Sequence, residues 1–295
     1  MKGLIIYHRV DWDGYTSAAI ALKKYPTFDL LGWTYGKDPL PNTNNYDVVV
    51  LLDLTISMGG DYTWMYENAD KLIWIDHHDN AMNTIKGVNI EGVRESGIGA
   101  CVLAWKYFFP GKQIPLHVAL CGTYDIFRKD GRYASWDDAW HYQLALDVYS
   151  ESVPKTMDSS IELVDYALKF INEPIRETIK RLEVGEGMEI KRAQKEDELF
   201  KSAVFSNNNG MVICKLIADG RPASLIRNNS EAHTADLYML RSTKPIYGTD
   251  DVYKVSLRVP DGSDVDASKI ARMFGGNGHI KAAGCNMKKS TFDKF

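Results

Sequence analysis

Three short apolar runs in the first part of this chain each stop abruptly at side chains able to hold a cation. Gly3-Leu4-Ile5-Ile6-Tyr7 leads into His8, Asp11 and Asp13; Val48-Val49-Val50-Leu51-Leu52 leads into Asp53; Leu72-Ile73-Trp74-Ile75 leads into Asp76, His77 and His78. Runs bounded this way predict buried strands, and in open α/β sheets ligands collect at the carboxyl ends of strands. Three strand tips would then deliver imidazoles and carboxylates to one edge of one sheet.

Bulk properties narrow the class. At 295 residues, 45% hydrophobic and 25% charged, the chain suits a two-domain globular protein. No apolar run approaches the roughly 18–20 residues of a transmembrane helix, and the apolar stretch after Met1 is too short for a signal peptide. Cys101, Cys121, Cys214 and Cys285 are scattered without a paired motif, which suggests neither a zinc ribbon nor a disulfide framework. The expectation is a cytoplasmic, reduced protein with no membrane association. From residue 201 onward 14 Lys+Arg face 9 Asp+Glu, a net of +5, so residues 1–200 carry −9 of the overall −4. An acidic half suits cations and a mildly basic half suits a phosphate-bearing ligand; the balance is too weak for a protein that coats long nucleic acid.

Strands are expected at 3–8, 28–35, 47–53, 71–76 and 88–93, with helical patterns between them at Thr16–Lys24, Gly99–Phe109 and Ile114–Tyr124. That alternation predicts an α/β fold whose N-terminal domain is built on a parallel sheet with flanking helices. Residues 151–200 are polar and helically spaced and read as a helical connector. After the turn signal Ser206-Asn207-Asn208-Asn209-Gly210 come strand-like stretches at Met211–Ile217, Thr234–Arg241 and Val252–Val259, then a helix over Asp264–Met273. The expected organisation is an N-terminal domain over 1–150, the connector over 151–200, and a smaller C-terminal α/β domain with a mixed sheet over 201–295.

His8, Asp11, Asp13, Asp53, Asp76, His77 and Asp125 are the residues to gather. Imidazole plus carboxylate without thiolate suits Mn²⁺, Mg²⁺ or Fe²⁺ better than structural zinc. Seven candidates are too many for one ion and natural for two, and two ions about 3.5–4 Å apart can clamp a phosphoryl oxygen and activate water. Such a pair needs a shared carboxylate, and Asp53, alone at its tip, is the natural bridge. Taken singly, several have plainer roles: Asp11 or Asp13 could cap the helix opening at Gly14, and Asp125 could simply end a helix. Asp53 is harder to dismiss, because a half-buried carboxylate needs a partner.

Near the other end, Gly275-Gly276-Asn277-Gly278-His279 lets backbone approach a ligand and offers N–H groups to an anion. A tight helix-to-strand turn is the ordinary explanation. Arg258, in Ser256-Leu257-Arg258 on a predicted strand, could fork onto a phosphate nearby.

These motifs together resemble the DHH phosphoesterases that carry a DHHA1 domain, a group that includes nanoRNases, oligoribonuclease-like enzymes and RecJ. The resemblance rests on His8-Arg9-Val10-Asp11-Trp12-Asp13-Gly14, on Asp53, on Asp76-His77-His78, on Asp125 of Gly122-Thr123-Tyr124-Asp125, and on Val265–Gly284 with Ser256-Leu257-Arg258 ahead of it. It implies a two-Mn²⁺ enzyme, with Mg²⁺ or other divalent ions as substitutes. One ion would take His8, Asp11 and Asp53; the other would take Asp13, Asp53, His77 and Asp125. Asp76 would stand behind them and hold the His77 tautomer, and His78 would face the scissile phosphate. Arg258 and Gly275, Gly276, Asn277, Gly278 and His279 would hold the nucleotide across an interdomain cleft. Three places depart from the family pattern: His8 precedes Asp11 by three residues rather than the usual four, Asn277 stands where glycine is usual, and the fourth motif lacks the Asp-Thr-Gly form of nanoRNases.

The resemblance implies a phosphodiesterase that releases mononucleotides from short oligonucleotides or linear dinucleotides, and a homodimer is the oligomer to test for. The alternatives are a phosphatase or phosphodiesterase for a small nucleotide, such as 3′-phosphoadenosine 5′-phosphate or a cyclic dinucleotide, and a metal-bound nucleotide sensor without turnover.

Overall fold

The computed structural model describes residues 1–58, 60–78, 85, 89–127, 130–153, 160–218 and 235–295, without the side chains of 191–197. Val88 of the predicted 88–93 strand, residues 154–159 of the predicted connector and Thr234 lie outside the described residues. The chain divides into two compact units, Met1–Glu186 and Gly187–Phe295.

The first unit is built on a five-stranded sheet of β1 (Gly3–His8), β2 (Asp29–Trp33), β3 (Val48–Leu52), β4 (Leu72–Asp76) and β5 (Glu91–Arg94), in the order β2-β1-β3-β4-β5. Every pairing is parallel. Strands of a parallel sheet covered by helices are buried on both faces, which is why β1, β3 and β4 read as unbroken apolar runs rather than alternating ones. Leu4, Ile6, Val49, Leu51, Leu72 and Trp74 pack on one face with Trp33, Trp64 and Met65. α1 (Trp12–Lys24) packs against β1, α3 (Ala100–Phe108) and α6 (Ser160–Asn172). The short α2 (Thr63–Glu67), then α4 (Leu116–Asp125) and α5 (Trp136–Ser152), complete this part.

Strand order reverses between β1 and β3: the chain leaves β1 for one side of the sheet and returns to build the other. Crevices for ligands open at such a switch point, outside the carboxyl ends of the strands. The register sets Tyr7 opposite Leu52, so the residues that follow, His8 and Asp53, emerge side by side.

Helix α7 (Ile175–Phe200) carries the chain from one unit to the other, with the division falling inside it. The second unit has a six-stranded mixed sheet of order β10-β11-β9-β8-β7-β6, formed by β6 (Val204–Asn208), β7 (Met211–Ile217), β8 (Leu237–Arg241), β9 (Val252–Arg258), β10 (Asn277–Gly278) and β11 (Ala282–Lys288). Only β7 and β8 pair in parallel. One face packs Ile213, Leu237, Met239, Val255 and Leu257 against Ala267 and Ala271 of α8 (Ala267–Met273) and Phe292 of α9 (Lys289–Lys294). The other face packs Cys214, Leu216, Tyr238 and Leu240 with Leu199 and Phe200 from the end of α7.

Candidate metal centre

Every one of the N-terminal candidates converges at the carboxyl edge of the first sheet. Three groups of side chains place ligand atoms within 4.8 Å of one another: His8, Asp11 and Asp53; Asp53, His77 and His78; Asp13, His77 and Asp125. Asp53 belongs to two of them. Its Oδ2 lies 3.5 Å from His8 Nδ1 and its Oδ1 lies 3.2 Å from His77 Nε2. His8 Nδ1 is also 3.5 Å from Asp11 Oδ2, so the shortened three-residue spacing still brings imidazole and carboxylate together. His77 Nε2 reaches Asp125 Oδ2 at 3.2 Å and Asp13 Oδ2 at 3.9 Å.

Local structure explains how each arrives. Asp11 is the N-cap of α1 and accepts the Gly14 amide at 3.0 Å, which turns the chain sharply from strand to helix. Gly14 is required there, because a Cβ would stand 1.9 Å from the carbonyl oxygen of His8. Asp13, 2% exposed, accepts the amides of Ala100 at 2.7 Å and Cys101 at 2.9 Å, the first two N–H groups of α3. Helix starts leave such donors without intrahelical partners, and the N-terminal end of the dipole favours an anion. Asp53 has φ of 58°, the left-handed region that aspartate visits at a cost. That turn lifts its carboxylate out of the strand direction and between the two imidazoles.

The electrostatics match a set assembled for cations. Burial alone would raise the Asp53 carboxyl, but its attraction to His77 and His8 outweighs that and holds it below the usual range. Burial, reinforced by the charge of Asp53, pushes Asp13 up to about 6. Asp125 and Asp11 are raised mainly by burial. Burial disfavours the charged form of both His8 and His77, yet the surrounding carboxylates, Asp53 first, raise both above the ordinary value. Three atoms of this cluster, His8 Nδ1, Asp53 Oδ1 and Asp125 Oδ2, are buried with no hydrogen-bond partner. Buried polar atoms are normally satisfied. Converging orphans of this kind, all imidazole or carboxylate, fit hard divalent cations.

Asp76 differs from the expectation. Its Oδ1 accepts His78 Nδ1 at 2.7 Å and the amides of His77 and His78, and its Oδ2 accepts the Thr55 hydroxyl at 2.9 Å. The ring it orients is that of His78, not His77. The reason is the two-residue period of extended chain: residues 76 and 78 share a side, while 77 points the other way, toward Asp53 and Asp125. Burial would lower the His78 imidazole, but the bond and charge of Asp76 dominate and push it up to about 9. Thr55, two residues past the Asp53 tip, carried no signal in the sequence beyond that position.

The C-terminal candidates gather in the second unit. Arg258 pairs with Ala282 across β9 and β11, and Gly278 pairs with Ala283 across β10 and β11. Arg258 Nη1 donates to the Leu257 carbonyl at 2.7 Å. Two of the glycine amides already have partners: Gly275 N donates to Arg272 O at 3.1 Å and Gly276 N to Ala271 O at 2.9 Å. With Gly275 at φ of 70°, this is a Schellman cap closing α8. The His279 amide donates to Ala282 O at 2.7 Å and closes the following hairpin. The cluster is therefore first a helix stop and a turn, and its anion-binding capacity does not include the Gly275 and Gly276 amides.

No protein-family profile and no curated protein matches the chain. Solved structures do. A pGpG-specific phosphodiesterase, PggH, from Vibrio cholerae aligns over 100% of this chain and 96% of its own, with 13% identity and a TM-score of 0.53. An exopolyphosphatase-related protein from Bacteroides fragilis aligns over 99% and 89%, with 12% identity and a TM-score of 0.52. RecJ from Thermus thermophilus, in complex with Mn²⁺, aligns over 99% of this chain and 50% of its own, with 16% identity and a TM-score of 0.55. At such identities the likeness shows the fold. That fold is an α/β architecture shared with these three structures, and it agrees with the α/β organisation expected from the sequence. No described helix is long and apolar enough to cross a membrane.

Proposed function

We propose that this chain is a metal-dependent phosphoesterase that hydrolyses a phosphodiester in short oligonucleotides or linear dinucleotides, releasing mononucleotides. The observation that carries this reading is the position of Asp53, whose two oxygens face two separate groups of imidazole and carboxylate ligands. His8, Asp11 and Asp53 would hold one divalent cation, and Asp13, Asp53, His77 and Asp125 the other, with Mn²⁺ as the first candidate. When bound, such a pair neutralises phosphoryl charge and lowers the pKa of water to near neutrality.

The protein's own part in the reaction falls to the remaining residues. His78 is held at Nδ1 by Asp76, so its ring is fixed at the rim of the site, where its side chain is 35% exposed. Asp76 raises its pKa against burial, which favours the protonated ring. It is the general acid: as the attacking water oxygen bonds to phosphorus and the ester P–O bond breaks in line, His78 gives its proton to the departing oxygen. Within the second unit, Arg258 and the Asn277–His279 turn are the candidates for binding a phosphate. The specificity of the Vibrio protein for pGpG, a dinucleotide, supports the substrate class.

The test is direct. The protein is incubated with Mn²⁺ and a panel of di- to pentanucleotides, cyclic dinucleotides and 3′-phosphoadenosine 5′-phosphate. Release of mononucleotides from the short linear substrates is expected; turnover of none of the panel rules the hydrolase out in favour of a sensor.

A further inference from the structure

Tyr35 stands beside the metal centre and has no part in holding it. It sits in the turn after β2, next to Gly36 at φ of 68°, and 44% of it is exposed. An exposed tyrosine on a turn is ordinary; this one is held at its hydroxyl and by two neighbouring rings. Its hydroxyl oxygen accepts the Thr55 amide at 2.8 Å, and Thr55 is the residue whose own hydroxyl bonds Asp76. Its ring meets the His8 imidazole edge-on, with centroids 5.8 Å apart at 70°, and meets Trp33 at 5.1 Å and 77°.

The turn itself is braced. Asp38 accepts the Thr34 amide at 2.7 Å and accepts from two Arg9 nitrogens, Nη2 at 2.9 Å and Nε at 3.2 Å. Arg9 lies between His8 and Asp11 in the first motif. The segment that supplies two candidate ligands therefore also fixes the turn that presents Tyr35. A rigid aromatic with low conformational freedom and an open surface is a recognition device rather than a packing one.

The geometry points to Tyr35 as a stacking platform for the nucleobase next to the scissile phosphate. This rests on the proposed nucleotide substrate but not on its hydrolysis. Base–aromatic stacking is worth about 1–3 kcal/mol per base and tolerates any base, because every base has a π-face. Tyr35 would then select nucleotides over simple phosphodiesters without reading base identity.

The experiment uses a linear dinucleotide carrying 2-aminopurine, whose fluorescence is quenched on stacking, and a non-hydrolysable methylenephosphonate linkage, with the full chain and Mn²⁺. Wild type and Tyr35→Phe should both quench it, since phenylalanine keeps the ring. Tyr35→Ala and Tyr35→Leu should not, the leucine variant keeping the bulk should the alanine variant fold poorly. In turnover, Tyr35→Ala should raise KM for the dinucleotide at least tenfold over Tyr35→Phe, which loses the same hydroxyl, while the two variants should share one KM for an abasic counterpart. Equal effects on both substrates, or undiminished quenching in the alanine and leucine variants, would overturn the assignment. Quenching that depends on the ring in a protein that hydrolyses nothing would leave it standing while the hydrolase reading falls.

Discussion

Asp13 and Cys101 are joined by a hydrogen bond of 2.9 Å from the Cys101 amide to Asp13 Oδ1, across 88 residues of chain. The other carboxylate oxygen takes the Ala100 amide. One side chain thus belongs both to the candidate metal centre and to the start of α3. Asp125 has a comparable place in the centre and no such second duty.

Asp13→Asn should therefore destabilise the protein even without added metal. An asparagine puts an NH₂ where one of two amide donors needs an acceptor, a loss of about 1–3 kcal/mol for a buried group. Asp125→Asn should be neutral or stabilising under the same conditions, because it removes a carboxylate that burial already disfavours. Urea unfolding of the two variants after chelation separates them; equal stability would show that the α3 bond contributes nothing.

Asp53→Asn should abolish the binding of both cations rather than one. Wild type is expected to take two Mn²⁺ per chain and Asp53→Asn none at micromolar metal, while His8→Ala should retain one. Metal analysis after equilibrium dialysis reads the stoichiometry directly. A full complement in Asp53→Asn would break the shared-ligand assignment.

Asp76→Asn should move the alkaline limb of the pH–rate profile. His78 must be protonated to act as the acid, so activity falls as pH rises through its pKa. Asp76 is what lifts that pKa against burial. Without its charge the limb shifts to lower pH by at least one unit. An unmoved limb in Asp76→Asn would assign the acid role elsewhere.

His117 sets a pH dependence of stability apart from the metal centre. It lies buried between Thr16 of α1 at 3.0 Å and Tyr142 of α5 at 2.9 Å, and burial lowers its pKa from 6.5 to about 3. The unfolded chain takes up this proton near pH 6.5, while the folded chain resists it until about 3. Stability contributed by the neutral ring is therefore complete above 6.5 and is lost as pH falls through that window. The slope is about 1.4 kcal/mol per pH unit, or about 2 kcal/mol by pH 5. Between pH 7.5 and pH 5, wild type should lose that much stability relative to His117→Gln, the other titrating groups being common to both.

How much of this was legible follows from the range of each interaction. β1, β3 and β4 could be read because a parallel strand buried on both faces needs an uninterrupted apolar run. Their tips could be read because charged residues ending such runs have few other reasons to be there. The bracing of Asp13 by α3 left no trace, because backbone amides carry no residue identity. β11 was hidden for a related cause: Ala282-Ala283-Gly284-Cys285-Asn286-Met287-Lys288 has small residues where β10 and β9 approach, and reads as loop. Asp76 was assigned to the wrong imidazole because the motif gives order along the chain and not side of the strand. Tyr35 lies in a turn, where sequence shows only that the chain bends.

The left-handed backbone at Asp53 sets two selections against each other. Glycine there would relieve the conformation, yet it would also strip His8 and His77 of the carboxylate that offsets their burial. Backbone ease pulls one way and the charge balance of the buried site pulls the other. Aspartate, which visits the left-handed region more readily than most residues, answers both demands at position 53.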